Sequence, residues 1–387
     1  MSTNQPAVPA TVAIVLASIV CAGYSRANEQ ALPAQPVPMI HVTDLFRPHN
    51  DPDDHWDLAC VYALAYQGQV DLRGILIDHP QPGRQNDPDV LAIAQMNYLT
   101  GKAVPVMVGS PEWIEPEDAD RPGHAQALRG IRSLLDVLRR SPGPLVINVL
   151  GSCRDVAIAG RLEPELFAAK CRAIYLNAGS GTPDKSKATR LEWNVHLDPL
   201  AYAAIFDIPC PIYWMPCFEV IRPTPDEAEQ FAGYATFYRF RQGEILPHLS
   251  KGARNFFAYM FQHGRLEAKH SEPEDLRPNW LQFLSGEPAP EMLERINAME
   301  RNMWCTGGFL HAVGMTVSPD GAIVPLADAD QPVFTFDPIR VTCGQDGVTT
   351  WQDISSETNR FIFHVRDRQR YPAAMTTAMQ DLLSHLP

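Results

Sequence analysis

Residues 43–59 read TDLFRPHNDPDDHWDLA, and the way this stretch joins its two neighbours decides the architecture of the chain. Upstream, Met39–Thr43 is a short run of β-forming residues that ends at Asp44. Downstream, Leu58, Val61, Leu64 and Ala65 recur at three- and four-residue spacing, which predicts an amphipathic helix beginning just after the acidic cluster. Val70–Asp78 (VDLRGILID) then predicts a second strand that again ends on a carboxylate.

The alternation continues outward. Helices are expected over Asp89–Thr100, His124–Arg140, Arg154–Arg161 and Asp198–Phe206, the last with Asp198 as N-cap and Pro199 in the first position. Between them fall strands at Val104–Val108, stopped by Gly109, Pro144–Leu150, stopped by Gly151, Ala173–Asn177 and Ile212–Met215. Strand and helix in turn call for an α/β fold with a mostly parallel central sheet flanked by helices, with ligands in the crevice at the carboxyl ends of the strands. Residues 225–303 turn helical and aromatic-rich and read as a helical insertion or lid near that edge. β-like stretches follow near Ala322–Leu326 and Val333–Thr342, and a final helix is expected at Tyr371–Leu386. One domain over 39–340, with 341–387 as a C-terminal extension packed on it, is the expected organisation.

Forty-five acidic against 32 basic residues leave a net charge of −13, a field that repels phosphate backbones and anionic lipid, so no nucleic acid partner is expected. The 35 prolines are dispersed as loop punctuation, and no heptad or longer repeat is present. Ala10–Ala22 (ATVAIVLASIVCA) has the length and small-residue flank of a signal-peptide core, with cleavage after Ala22 or Ala27, although no Lys or Arg precedes it. Residues 1–27 are therefore expected to be a signal peptide, the mature chain to be exported to the periplasm or beyond, and no stable membrane insertion to remain; an uncleaved anchor is the alternative. Removing that segment leaves Cys60, Cys153, Cys171, Cys210, Cys217, Cys305 and Cys343, an odd set without a CxxC pair, which disfavours a zinc site and leaves at least one thiol free or paired between chains. A homo-oligomer is compatible with all of this.

Adjacent carboxylates repel unless something positive lies among them, so Asp53 and Asp54 at a strand end are a better metal signal than scattered acids. Hard oxygen ligands suit Ca²⁺ or Mg²⁺. The plain alternative is that one aspartate caps the helix and the others are solvated.

On these residues the chain resembles the inosine-uridine-preferring nucleoside hydrolase family, whose signature is a strand followed by DxDxGxDDAxAL. Asp53–Asp54 matches the DD pair and His55–Leu58 the start of the helix; the loop before them is longer than the family spacing and lacks its glycine, so either Asp44 or Asp51 takes the place of the first ligand. VPVMVG at 104–109 is similar to the VPVxxG strand, VLGSCRDVAIA at 149–159 to the LGPLTNLA turn, IYLNAGSG at 174–181 to a strand end, and EWNVHLDPLA at 192–201 to EFNxxxDPxA. The resemblance is good over about Met39–Val220.

The resemblance implies a Rossmann-like nucleoside hydrolase fold and hydrolysis of the N-glycosidic bond of a ribonucleoside or related glycoside, with Ca²⁺ on the ribose hydroxyls and a water. Carried over by position, Asp53 is general base and metal ligand, Asp54 a metal ligand, Asp44 or Asp51 another, and Arg154 gives a backbone carbonyl to the metal. Glu192 and Asn194 contact ribose hydroxyls, with a strand-end acid and a capping amide as their plain reading, and Asp198 is an N-cap. Asp78 and His79 stand where pocket walls are expected. The late His–Asp pair has its nearest match in FLHAVG at 309–314, which places His311 in the histidine role and Ala312 where a carboxylate belongs; His311 reads equally as a core histidine. Trp193, Trp214 and Trp304 are stacking candidates or core. Two further functions fit: a non-catalytic exported nucleoside- or carbohydrate-binding protein, and another exported glycan hydrolase on the same scaffold.

Overall fold

The computed structural model describes Met1 and residues 35–45, 53–80, 89–184, 191–219, 233–267 and 280–387. The expected signal peptide and Asp51 lie outside the described residues. Everything below concerns the compact unit Pro36–Pro387.

Its centre is a nine-stranded sheet. In chain order the strands of the unit are β1 (Val37–Thr43), β2 (Val70–Ile77), β3 (Val106–Val108), β4 (Leu145–Val149), β5 (Cys171–Asn177), β6 (Ile212–Met215), β7 (Tyr238–Arg241), β8 (Glu300–Met303), β9 (Met315–Val317), β10 (Ile323–Pro325), β11 (Phe334–Cys343), β12 (Thr349–Asp353) and β13 (Arg360–Val365). Across the large sheet the order is β12-β11-β13-β6-β5-β4-β1-β2-β3. From β13 to β3 every pairing is parallel, while β11 and β12 close one edge antiparallel. Strand order reverses at β1: β2 and β3 build to one side and β4 onward to the other. The crevice between β1 and β4, at their carboxyl ends, is thus the topological switch point where such sheets bind ligands.

The strands are hydrophobic enough to be covered on both sides, as parallel strands must be. Every residue of β4 is buried. Neighbouring residues of β1 feed opposite cores: Met39 joins the one containing helix Asp53–Tyr66, while Ile40 and Val42 join the one containing helices Arg129–Arg140 and Arg154–Leu162.

Helix Asp53–Tyr66 departs from the amphipathic expectation. It begins at the acidic pair itself and is buried from Asp54 through Ala65. The cause lies in the segment read as an insertion. Phe257 of helix Lys251–Glu267 stacks on Trp56 with centroids 4.0 Å apart, and Phe240 of β7 meets the same indole edge-on at 5.0 Å. Helix Tyr371–Ser384 packs on the same helix. The region therefore covers the outer face of the helix that carries the acidic cluster, and its chain returns to the sheet's carboxyl edge just after β8.

Two other differences are local. The single helix expected over His124–Arg140 is two, His124–Ala127 and Arg129–Arg140, broken at Leu128, whose backbone sits at φ −80°, ψ 0°. β13 was not apparent in the sequence; its residues RFIFHV pair with both β6 and β11, so part of the stretch read as a C-terminal extension belongs to the main sheet. The seven described cysteines form no disulfide, and all but Cys343 are buried.

Candidate functional site

Backbone strain marks the carboxyl edge. Three non-glycine residues among those described have left-handed φ, Leu45 (47°), His79 (47°) and Cys153 (67°), and they follow β1, β2 and β4 respectively. Such conformations persist only where surroundings over-determine them, commonly around binding sites.

A cavity of about 120 Å³ opens at this edge. Its acidic side is Asp44, the residue after β1, with Asp53 and Asp54 in the first turn of the following helix. Leu150 after β4, Asn177 at the end of β5, and Cys217 and Phe218 after β6 form the floor, and Glu192, Trp193, Asn194 and Trp304 complete the wall.

The helix start explains the acidic side. Its unsatisfied N–H groups and positive dipole end favour carboxylates in the first turn. Asp57, three residues beyond Asp54, comes round to the same face. One carboxylate oxygen from each of Asp53, Asp54 and Asp57 lies within 4.8 Å of the others, although Asp54 and Asp57 are buried. Asp53 Oδ1 is buried without a hydrogen-bond partner among the described residues. Three converging carboxylates with an orphaned oxygen are a donor set that fits a hard divalent cation.

Glu192 and Asn194 hold their places by bracing the backbone. Glu192 Oε1 accepts from Asn194 N (3.0 Å) as N-cap of helix Trp193–Leu197, and Oε2 accepts from Gly179 N (2.9 Å). Burial raises the Glu192 pKa, against the lowering effect of those N–H donors and of the Cys217 thiol. Asn194 Nδ2 donates to the carbonyls of Leu150 (3.1 Å) and Asn177 (3.0 Å), tying the ends of β4 and β5 together. Both side chains line the cavity, so the roles of cap and of cavity wall coexist here.

Other expected site residues stand elsewhere. Arg154 is the first residue of helix Arg154–Leu162, so its carbonyl belongs to the helical ladder and is not placed to reach a cavity that it does not line. Its guanidinium is the part with a role here: Nε donates to Asp198 Oδ2 at 2.7 Å, in a pair with both partners below a tenth exposed. Asp198 also accepts from Ala201 N (3.0 Å), as the expected N-cap of helix Pro199–Ile205. Asp78 is fully buried below the edge, where Oδ1 accepts from Ser152 Oγ (2.8 Å) and His79 N (2.9 Å), and His79 packs against the Arg154 guanidinium. Neither Asp78 nor His79 lines the cavity.

His311 is displaced for a helical reason. It sits in the last turn of helix Thr306–Ala312, which begins two residues after Trp304 of the cavity wall. There its Nδ1 is 2.7 Å from the Tyr175 hydroxyl among the rings of Tyr213 and Phe336, and burial lowers its pKa to about 4. The residues that reach the site are those before the helix. Trp304 lines the wall with its indole N–H donating to Cys217 O (3.0 Å), and Cys305 Sγ lies 3.3 Å from Asn177 Oδ1. Burial and the Asp57 carboxylate raise the Cys305 pKa, keeping a neutral thiol against the acidic cluster. Of the three tryptophans expected to stack or to be core, Trp193 and Trp304 line the cavity and Trp214 is buried in the core, while Cys305 had only a helix start next to a strand end as its signal.

No curated protein sequence matches the chain. Sixty-two solved chains match in fold. The effector protein XOO4466 superposes with a TM-score of 0.51 at 14% identity, over 91% of this chain and 95% of that one. The type III effector XopQ, crystallised with adenosine diphosphate ribose, gives 0.50 at 15% identity over 92% and 94%. The inosine-uridine preferring nucleoside hydrolase of Bacillus anthracis gives 0.41 at 12% identity over 89% and 99%. The family model described as inosine-uridine preferring nucleoside hydrolase matches residues 50–276, more than half of the chain. With a match that takes in the acidic helix start and the Glu192–Asn194 wall, the chain belongs to the inosine-uridine preferring nucleoside hydrolase family.

Proposed function

We propose that the cavity binds the ribosyl group of a nucleoside or related glycoside and that the protein hydrolyses its N-glycosidic bond. The observation that supports this most is the convergence of Asp44, Asp53 and Asp54 with Glu192 and Asn194 around one cavity at the switch point.

In this reading Asp53 accepts a proton from water as the water oxygen bonds to the anomeric carbon and the bond to the leaving nitrogen breaks. The nitrogen takes its proton from solvent at the cavity mouth, since His311 is remote. Positive charge develops on the sugar ring in an oxocarbenium-like transition state, and the surrounding carboxylates stabilise it electrostatically. Asn194 and Glu192 orient the ring through its hydroxyls. Asp53, Asp54 and Asp57, with Asp44 on the same side, would hold a hard divalent cation, Ca²⁺ by the family resemblance, which would polarise sugar hydroxyls and lower the pKa of a water. The Ala10–Ala22 segment supports export as the place of action.

One observation favours a second reading, a ribosyl-binding protein without turnover: the acidic cluster is closed on the far side by the neutral thiol of Cys305 instead of another carboxylate. The two readings separate on p-nitrophenyl riboside, whose leaving group needs little protonation. Release of p-nitrophenol with Ca²⁺ that stops on adding chelator supports the hydrolase. A folded protein that releases none but binds ADP-ribose by calorimetry supports the binding protein, and neither turnover nor binding removes both.

A further inference from the structure

Behind the cavity, three loops meet at a pair of buried acids. Asp78 follows β2, and Asp155 stands in the first turn of the helix after β4; both are 0% exposed. Each has one satisfied oxygen. Asp78 Oδ1 accepts from Ser152 Oγ and His79 N, and Asp155 Oδ1 accepts from Ser110 N at 2.7 Å, in the loop after β3. The other two oxygens, Asp78 Oδ2 and Asp155 Oδ2, find no donor among the described residues and face the same seam: Gly109, against which Asp155 Oδ2 packs, donates its N–H to the carbonyl of Ile77, the residue before Asp78 (2.9 Å).

Two carboxylates are acceptors only when ionised. A neighbouring pair away from water is tolerable only if one is a carboxylic acid that donates to the other. Burial, then the neighbouring Asp78, raise the pKa of Asp155 in agreement with that. The glycines around the pair show how closely it is roofed. A Cβ on Gly109 would stand 1.9 Å from Asp155 Oδ2, and one on Gly151 would stand 2.6 Å from Asp78 Oδ2. Strand-ending glycines at these two positions are what lets the backbone close over the acids.

We propose that Asp78 and Asp155 share one proton and act as positioning residues, a clasp that holds the loops after β2, β3 and β4 in register beneath the ribosyl cavity. The path to the cavity is short. Gly151 follows Leu150, which lines the cavity and receives the Asn194 amide, and Arg154, next to Asp155, anchors Asp198 beyond the Asn194 helix. The clasp thereby sets the spacing between the β4 end and the Asn194 wall. The positioning role rests on the ribosyl-site reading above; the shared proton does not.

The substitutions Asp155→Asn and Asp155→Ala separate the two. An asparagine supplies a permanent N–H in place of the shared proton, so Asp155→Asn should keep ADP-ribose affinity within about threefold and lose the infrared band of a protonated carboxylic acid that the wild type shows. Asp155→Ala leaves Asp78 Oδ2 facing a void; the melting temperature should fall by about 3–6 °C and the affinity by about tenfold. No carboxylic-acid band in the wild type, or Asp155→Asn as impaired as Asp155→Ala, overturns the clasp. A wild type that shows the band but binds neither ADP-ribose nor riboside overturns the ribosyl reading and the positioning role, and leaves the shared proton standing.

Discussion

The two sides of the cavity are built on different chemistry. On the β1 side, Asp44, Asp53, Asp54 and Asp57 gather hard, anionic oxygens at the start of a helix whose dipole favours them. On the side after β6 and β8, Cys217, Phe218 and Trp304 present aromatic rings and neutral sulfur, next to the Asn177 amide at the end of β5, with the Cys305 thiol behind it. With Glu192 as the further carboxylate among the lining residues, a cation or developing positive charge is held mainly from the aspartate side, and the aromatic wall shapes and dries the space. The contrast teaches that family membership and completeness of a site are separate questions: the half that decides the fold is well formed, and the half that closes the shell has its own chemistry.

The largest expected effect tests the acidic side. Asp53→Ala should lower turnover of p-nitrophenyl riboside by about a hundred- to ten-thousand-fold, as removal of a general base does, with the fold intact by circular dichroism. Turnover unchanged in this variant removes Asp53 from the mechanism and the asymmetry with it.

The next concerns two buried histidines outside the cavity lining, His41 of β1 and His311. Burial lowers His41 to about 3 and His311 to about 4, from an ordinary 6.5. Below pH 6.5 the unfolded chain binds protons at these rings while the native one does not, so stability present above pH 6.5 is lost as pH falls towards 4 and 3. His41 is fully buried, without a hydrogen-bond partner for either ring nitrogen among the described residues, and accounts for about 3 kcal/mol of that loss by pH 4. Urea midpoints of wild type and His41→Phe from pH 7 to pH 4 check the sign: the variant should be less acid-sensitive, and equal slopes would show that His41 contributes nothing.

A smaller effect would make the two sides alike. Cys305→Asp adds a carboxylate against Asp57 and should raise Ca²⁺ affinity by about tenfold by isothermal calorimetry, through the added ligand charge. An unchanged affinity would place Cys305 outside the cation's reach. The smallest is expected at His311, whose replacement by Phe should alter riboside turnover by less than about twofold, because its ring is spent on Tyr175 and Phe336 away from the cavity.

Much of the fold was legible from the chain alone, because strand and helix signals are local. Val70–Asp78, Asp89–Thr100 and Ile212–Met215 were read to within a residue, and Asp198 with Pro199 announced its helix by cap chemistry. Of the site, the DD pair and the EWN stretch were readable because each is a contiguous motif whose residues face one cavity. What stayed hidden depends on elements far apart in sequence. Burial of helix Asp53–Tyr66 on all sides needs Phe240, Phe257 and the last helix, and β13 takes its place only because β6 and β11 offer it edges. The same holds for Arg154 with Asp198 and for Asp78 with Asp155, side chains 44 and 77 positions apart whose burial is paid for by each other. Sequence by itself determined which segments are strands and helices and that an acidic junction opens the fold, since those follow from periodicity and capping within a few residues. Only the tertiary structure decided which side chains meet, because a buried charge is stable solely beside the partner that packing brings to it.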